Sequence, residues 1–341
     1  MVGTIEDVHH LDDLLSEPSA GAIDAIRQLD GDLLILGVAG KMGPTLARMA
    51  RRASDEAGRP RRIIGVARFS NPTVATELQQ HGIETIAADL LDPDQVARLP
   101  DAANVLWMGG MKFGTTGQEA LTWAMNTYAP ALICSRFRRS RIVAFSTGNV
   151  YGLSPVVRGG CLEGEPLNPV GEYSLSALGR ERIFEYFGRT FSIPMAILRL
   201  NYAVEMRYGV LVDIARNVLA DEPIDVSMGH LNAIWQGDAN AMALQAFGCV
   251  ATPPRVLNIT GPILSVRRVA ESFAELFDKS VTIIGTEAAD ALISNPRESH
   301  RHFGPPRIDA DQMMKWIAAW VRRGGASFEK PTHFESRDGR F

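Results

Sequence analysis

Three glycines at regular spacing are the first residues of the sequence that could do chemistry. Gly37, Gly40 and Gly43 follow the apolar run LLIL and stand directly before a stretch with helical periodicity. Glycines allow a tight turn and a close approach to the backbone, and the first turn of a helix offers free N–H groups to an anion. The spacing predicts a loop, which also contains Lys41 and Met42, that binds the pyrophosphate of a dinucleotide.

The end of the second predicted strand, RRIIGVARFS, indicates which dinucleotide the loop would hold. An NAD site usually has an acidic residue at this point to bind the ribose 2′-OH. This sequence has Ala67 followed by Arg68. Because a guanidinium suits a 2′-phosphate, the sequence favours NADP, with NAD as a second possibility.

Two further strand ends carry residues suited to the same ligand. A third predicted strand ends at Asp89 and Leu90, where Asp89 would suit an adenine contact. A fourth ends before Gly109 and Gly110, which would let the cofactor lie against the backbone. A helix and a fifth strand, RIVAFSTGNVYG, come next. Strands alternating with helices predict an α/β fold with a doubly wound, Rossmann-type parallel sheet and right-handed crossovers.

The order of motifs along the chain resembles a known family. GVAGKMG, AADL, FSTGNVYG, EYSLSALGRERIF, ILRLN, WQGDAN and VLNITGPILSVRRVAE succeed one another over roughly residues 32–325. This order is similar to that of the extended short-chain dehydrogenases/reductases, the NAD(P)-dependent epimerase/dehydratase group. The resemblance implies a smaller substrate domain in the second half and a homodimer formed by the helices that begin at 117 and 173.

The resemblance also assigns roles to single residues. Tyr173 would be the general acid/base while a hydride moves to or from the nicotinamide, and Thr147 would hydrogen-bond the reacting oxygen. Ser146 and Asn126 would support the strand end and the cofactor side. Asn201, in the segment 199–202, would lie beneath the nicotinamide and the substrate.

One position departs from the family pattern. Ala177 stands where the family has a lysine, which holds the nicotinamide ribose and favours the ionised tyrosine. Three explanations are open. Another cation substitutes: Lys112 in GGMKFG is favoured over Arg180, which follows Tyr173 by two helical turns, about 10 Å. Alternatively NADP⁺ or the substrate tunes Tyr173, or catalysis is lost and the protein is a dinucleotide-binding sensor or regulator.

The chain is expected to have four parts. These are an N-terminal extension (1–31) with a short helix capped by Ser16, an NAD(P)-binding Rossmann domain (32–200), a mainly substrate-binding region with segments returning to the sheet (201–326), and a polar C-terminal tail extended over the surface (327–341).

Composition narrows the class of partner. The 341 residues are 46% hydrophobic and 22% charged, with a net charge of −4 and both signs spread along the chain, so nucleic-acid and membrane partners are not expected. The acidic N-terminus lacks the features of a signal peptide, and the three cysteines have no metal-type spacing. Composition therefore predicts a cytoplasmic protein without a metal site, and the family resemblance implies an NAD(P)-dependent oxidoreductase or epimerase acting on a small hydroxylated carbonyl compound: a sugar, sugar acid or nucleotide sugar. Arg207 and His230 form a small basic cluster of two residues that could bind an anionic or polyhydroxylated substrate.

Overall fold

The computed structural model describes residues 3–111 and 117–339. Lys112, a predicted catalytic and cofactor-binding residue, lies outside the described residues. The strands are β1 Leu33–Leu36, β2 Ile63–Ala67, β3 Glu84–Ala87, β4 Asn104–Trp107, β5 Arg141–Thr147, β6 Ser154–Pro155, β7 Met195–Leu200, β8 Ala203–Val204, β9 Ile224–Asp225, β10 His230–Asn232, β11 Ile234–Trp235, β12 Arg255–Ile259, β13 Ile263–Ser265, β14 Ile283–Ile284 and β15 Asp290–Ala291.

Helices connect and cover these strands. They are α1 Val8–Leu15, α2 Ala20–Gln28, α3 Gly43–Glu56, α4 Pro72–Gln80, α5 Pro93–Ala97, α6 Glu119–Trp123, α7 Ala129–Arg136, α8 Gly171–Phe191, α9 Val210–Leu219, α10 Gln236–Gln245, α11 Val266–Phe277, α12 Arg297–Phe303 and α13 Ala310–Arg322. A π-helical turn, Ala124–Tyr128, joins α6 to α7, and 3₁₀ turns span Gly148–Tyr151, Val156–Arg158 and Ala246–Cys249.

A parallel sheet organises the fold. Within the described residues it has seven strands in the order β12-β7-β5-β4-β1-β2-β3. The chain moves outward from β1 to β3 and then returns to the other side of β1 at β4. Such a reversal opens a crevice at the carboxyl ends of the two central strands, where ligands bind in open α/β sheets. The predicted fold class is confirmed.

The central strands are apolar because both faces of the sheet are covered. Alternate residues of β1 point to opposite layers: Leu33 and Ile35 pack with α2, α3 and α10, whereas Leu34 and Leu36 pack with α5, α7 and α8. All four side chains are fully buried. The sequence pattern of short, uninterrupted apolar runs follows from this burial.

A second apolar core lies beside the sheet. It unites α1, α9, α11 and α13 and contains Trp235 and Trp316, whose rings lie 5.4 Å apart. The second half also returns to the sheet layers through β12 and α10. The N-terminal extension contributes α1 to the second core and α2 to the sheet layer. The four-part division of the chain stays a prediction.

Three local expectations need correction. The Oγ of Ser19, not Ser16, accepts a hydrogen bond at the start of α2, since Ser16 ends α1. The third strand ends at Ala87 rather than at Asp89, because the Asp89 backbone turns into α5. The C-terminal tail is not wholly on the surface: Thr332 and Phe334 are buried.

Candidate active site

Most of the predicted site residues follow the carboxyl ends of parallel strands, so the fold gathers them at one edge of the sheet, whereas Tyr173 lies on α8 and Asn126 in the π-helical turn. The glycine loop follows β1, Arg68 follows β2, Asp89 and Leu90 follow β3, Gly109 and Gly110 follow β4, Ser146 and Thr147 end β5, and Asn201 follows β7. Within the described ranges, no group of three or more His, Cys, Asp or Glu side chains could hold a metal ion. None of the helices described is long and apolar enough to cross a membrane.

The glycine loop has room for a phosphate where the sequence predicts one. Gly37 has a φ of +85°, and a Cβ there would lie 2.8 Å from the Gly109 nitrogen, so the loop and the β4 end touch through backbone. A Cβ on Gly43 would overlap the Val38 carbonyl. Gly40 is different, since a Cβ there would meet only the Gly37 oxygen, at 3.5 Å. The start of α3 has no side-chain cap, so its N–H groups can face an anion beside Gly40. These features fit a dinucleotide pyrophosphate.

Lys41 links this loop to the second half of the chain. Its Nζ lies 3.1 Å from the ring centroid of Tyr208, a cation–π contact. Burial raises the pKa of Tyr208, which keeps that phenol neutral. The contact places the predicted phosphate-binding lysine at the boundary between the glycine loop and the turn that precedes α9.

The adenine end of the predicted cofactor site is more open to solvent than the glycine loop. Arg68 is exposed and makes no hydrogen bond or ion pair with another described residue. The Oδ1 of Asp89 accepts a hydrogen bond of 3.0 Å from the Leu91 nitrogen and shapes the turn after β3. Leu90 is buried in the sheet core. Arg68 is thus available to a ligand, whereas Asp89 is already partly engaged.

Arg180 reaches the hydroxyl side of Tyr173. The Tyr173 phenol acts on the pKa of Arg180, so the two side chains lie close to each other although they are seven positions apart on α8. Long helical side chains lean toward the helix N-terminus, which brings the guanidinium back over the position of Ala177. Ala177 is fully buried against Val150 and Tyr151. The expectation that Arg180 is too distant from Tyr173 is therefore wrong.

The groups that hydrogen-bond the Arg180 side chain are neutral. Its side chain is 5% exposed, and Nη1 donates to the Gly109 carbonyl at 3.3 Å and to the Asn126 Oδ1 at 3.5 Å. A Cβ on Gly110 would lie 2.6 Å from Nη1, so the glycine leaves the space that the guanidinium fills. Among the described residues no carboxylate forms an ion pair with Arg180. Burial lowers the pKa of Arg180, and Tyr173 and Glu181 act in the opposite direction.

Asn126 holds this arrangement together from the π-helical turn. Its Nδ2 donates to the Ser176 Oγ at 2.8 Å, and its Oδ1 accepts from the Met111 nitrogen at 3.2 Å. The amide therefore joins the loop after β4 to α8 at Arg180. Single π turns within helices often occur at functional sites.

A buried ionic network, which the sequence analysis did not predict, lies behind the site. Ser146 donates to Glu181, whose carboxylate pairs with Arg199 at 2.7 Å. Arg199 in turn donates to the Tyr151 Oη at 2.8 Å. Burial raises the pKa of Tyr151 to about 12. The Glu181 carboxylate also acts on the neighbouring Arg180, where it opposes the effect of burial on the pKa of that guanidinium. Glu181 and Arg199 lie 18 positions apart, and only their shared burial reveals the pair.

Thr147 and Asn201 stand together at the ends of β5 and β7. Thr147 Oγ1 accepts from the Asn149 nitrogen at 3.2 Å and is 6% exposed. A Cβ on Gly148 would lie 2.5 Å from the Asn201 amide, which packs directly against that backbone. Asn201 Oδ1 is buried and has no hydrogen-bond partner among the described residues. The Asn201 oxygen is therefore available to a polar ligand group, whereas the Thr147 hydroxyl, which donates to the Asn149 Oδ1 at 3.3 Å, would have to leave that acceptor to donate to a ligand.

The small basic cluster of Arg207 and His230 does not form a site that is free to bind an anion. Arg207 is ion-paired with Glu205 at 2.9 Å and with Asp12 of α1 at 2.8 Å. Although burial acts to lower the pKa of Arg207, these two carboxylates raise it. His230 lies on β10, opposite Ser265 of β13. Arg207 anchors the N-terminal extension to the second core.

Comparison with known proteins agrees with the fold. The chain is similar in structure to UDP-glucuronic acid 4-epimerase from Bacillus cereus, whose structure contains UDP-glucuronic acid and NAD (TM-score 0.69, 17% identity, 86% of this chain and 99% of that chain). UDP-glucose 4-epimerase from Thermotoga maritima, solved with UDP-glucose, gives a TM-score of 0.68 at 16% identity over 86% and 99%. dTDP-glucose 4,6-dehydratase from Bacillus anthracis, solved with NAD, gives 0.70 at 16% over 86% and 97%.

The search of curated proteins found no match. The sequence model of the NAD dependent epimerase/dehydratase family matches residues 33–226, more than half of the chain. The matched region contains the glycine loop, the four residues Thr147, Tyr173, Ala177 and Arg180, and the seven-stranded sheet as far as β7. The chain is therefore an enzyme of the NAD dependent epimerase/dehydratase family.

Proposed function

We propose that the protein moves a hydride between a bound nicotinamide dinucleotide and a hydroxylated carbon of a sugar-type substrate, with Tyr173 as the acid/base and Arg180 as the cation beside it. Thr147 would bind the reacting oxygen. Arg180 thereby takes the electrostatic role that the sequence assigned first to Lys112.

The observation that supports this proposal most directly is the proximity of the buried Arg180 guanidinium to the Tyr173 phenol. A buried cation without an ion-pair partner stabilises an anion that forms next to it, because at a buried position water does not screen the attraction between the two charges. Tyr173 is the neighbouring group that can become an anion by releasing its proton. The same contact weakens the case for a non-catalytic sensor, which rested on Ala177.

The residues of this chain would divide the work as follows. The Tyr173 oxygen takes the hydroxyl proton of the substrate and later returns a proton, while Arg180 stabilises its charged form. Thr147 donates to the same substrate oxygen and fixes its position. The dinucleotide, when bound, supplies the hydride acceptor at its nicotinamide ring. The glycine loop and the start of α3 hold its pyrophosphate.

A conversion assay tests the proposal. The purified protein would be incubated with NAD or NADP and with nucleotide sugars, free sugars and sugar acids. Products would be followed by NMR as well as by the absorbance of reduced cofactor, because an epimerisation or dehydration returns the hydride and leaves no net redox change. Conversion of at least one substrate is expected. Cofactor binding without any conversion would favour the dinucleotide-binding regulator instead.

The choice of cofactor can be tested at Arg68. We propose that its exposed guanidinium, next to the uncharged end of β2, contacts the 2′-phosphate of NADP. Arg68→Ala should weaken NADP binding by about tenfold, or about 1.4 kcal/mol, and change NAD binding by less than twofold. Isothermal titration calorimetry with both cofactors measures this. Equal losses for NAD and NADP would contradict the proposed contact.

The exposed apolar side chains favour a homodimer. Leu121 and Trp123 of α6, Tyr128 of the π-helical turn and Leu175 of α8 are each 39–47% exposed and lie on helices that pack together. Apolar groups clustered in this way often mark an interface. We expect wild-type protein to sediment as a dimer and Leu175→Glu to shift it to a monomer. A monomeric wild type at micromolar concentration would contradict this.

A further inference from the structure

The C-terminal segment Thr332–Gly339 crosses the second core and ends against the helix that carries Tyr173. We propose that it is a strap that fixes the first turn of α8 and so positions Tyr173. The inference rests on the proposed function for the role of Tyr173, whereas the contacts of the strap stand by themselves.

The strap is anchored at three successive points. Thr332 is fully buried, and its backbone nitrogen and Oγ1 both donate to the carboxylate of Asp213, at 2.8 and 2.6 Å. Phe334 packs into the second core at 6% exposure. Arg337 pairs with the Asp290 carboxylate and donates to the Asp290 carbonyl at 3.1 Å. A segment with this many specific contacts has a defined path.

The end of that path is a contact between two glycine backbones. A Cβ on Gly171 would overlap the Gly339 carbonyl, and a Cβ on Gly339 would overlap the Val170 carbonyl. Both glycines have positive φ, +81° and +75°, a conformation that other residues rarely adopt. The approach therefore depends on glycine on both sides.

The contact lies at the first turn of α8, whose backbone N–H groups have no acceptors within the helix. Val170 precedes the helix and provides no side-chain cap. An uncapped first turn frays readily, because its N–H groups have no partners within the helix. Tyr173 is the third residue of this turn. Backbone packed against Gly171 restricts the fraying and thereby the position of the Tyr173 hydroxyl relative to Arg180, which is held further along the helix.

Two variants remove or disturb the contact without touching the three anchors. One is a chain that ends after Asp338. The other is Gly339→Ala, whose methyl would overlap Val170. Gly304→Ala is the control: its φ of +80° is also positive, so the substitution is likewise strained, but a Cβ there meets nothing within 4 Å. Strain should cost each alanine variant on the order of 1 kcal/mol or more.

Amide hydrogen exchange measures the effect on the helix. Exchange over residues 171–178 should become at least about fivefold faster in both strap variants and stay within twofold of wild type in Gly304→Ala. The kcat of the proposed reaction should fall by about fivefold or more, with the Kd for NAD within twofold of wild type. Unchanged exchange would overturn the strap, and faster exchange with unchanged kcat would overturn its positioning role. If the wild type converts no substrate, the proposed function fails, and the exchange result still decides whether the strap holds α8.

Discussion

Tyr173→Phe should lower the rate of substrate conversion by about 10²–10⁴-fold while leaving cofactor affinity within about threefold. The substitution removes one oxygen and keeps the ring, so the packing of the first turn of α8 is preserved. What is lost is the group that takes and returns the proton. Steady-state kinetics and a cofactor titration on the same preparation separate the two effects.

Tyr186→Phe is the matched control for this loss. Tyr186 lies on the same helix and is 58% exposed, so removal of its hydroxyl should change neither rate nor affinity. A Tyr173→Phe enzyme that retains more than a tenth of the wild-type rate would show that another group performs the proton transfer. A parallel loss of cofactor binding would show that the hydroxyl serves binding instead.

Much of the fold was predictable because its signals are local. The run LLIL followed by Gly37, Gly40 and Gly43 encodes a buried strand, a tight turn and a helix start within about a dozen residues. Parallel strands then bring their carboxyl ends to one edge, so that residues such as Arg68, Gly109 and Thr147 gather there without any knowledge of distances. Local pattern and sheet topology together account for the placement of the described candidates.

What could not be predicted depends on partners distant in sequence. The segment ILRL was predicted only as a motif, since an arginine in the middle of a buried strand conflicts with the apolar pattern. The structure resolves this conflict by pairing Arg199 with Glu181 of α8. The C-terminal tail was predicted to be polar and to extend over the surface, because the residues that anchor it, Asp213 and Asp290, lie in other parts of the chain.

The position of Arg180 was misjudged for a different reason. The rise of about 10 Å between residues seven apart is correct for the helix axis. This rise does not determine the position of the end of a long side chain. Arg180 leans back along the helix toward Tyr173, and the small Ala177 leaves its path open. The absence of lysine at 177 and the presence of arginine at 180 are thus two parts of one arrangement.

Arg180→Met should lower kcat by about 100-fold, or about 2.7 kcal/mol. Methionine keeps an unbranched apolar stem and removes the charge, so the loss reports the cation. Without that cation, the negative charge that forms on the Tyr173 oxygen during proton transfer is no longer stabilised by a neighbouring positive charge. Steady-state kinetics and a cofactor titration on the same preparation measure kcat and the cofactor Kd, and only kcat should change strongly. Arg182→Ala, at an exposed position of the same helix, should change neither value.

Moving the positive charge from position 180 to position 177, where the family has a lysine, tests the role of the charge more sharply than its removal does. In Ala177→Lys alone, the lysine enters a fully buried site beside Arg180, so like-charge repulsion and crowding should lower stability and activity. In the double variant Ala177→Lys/Arg180→Ala, the space and the charge are exchanged together. Its kcat should return to within about tenfold of wild type, a gain that neither single variant predicts. A double variant no better than Arg180→Met would mean that the guanidinium acts through its contacts with Gly109 and Asn126 rather than through its charge.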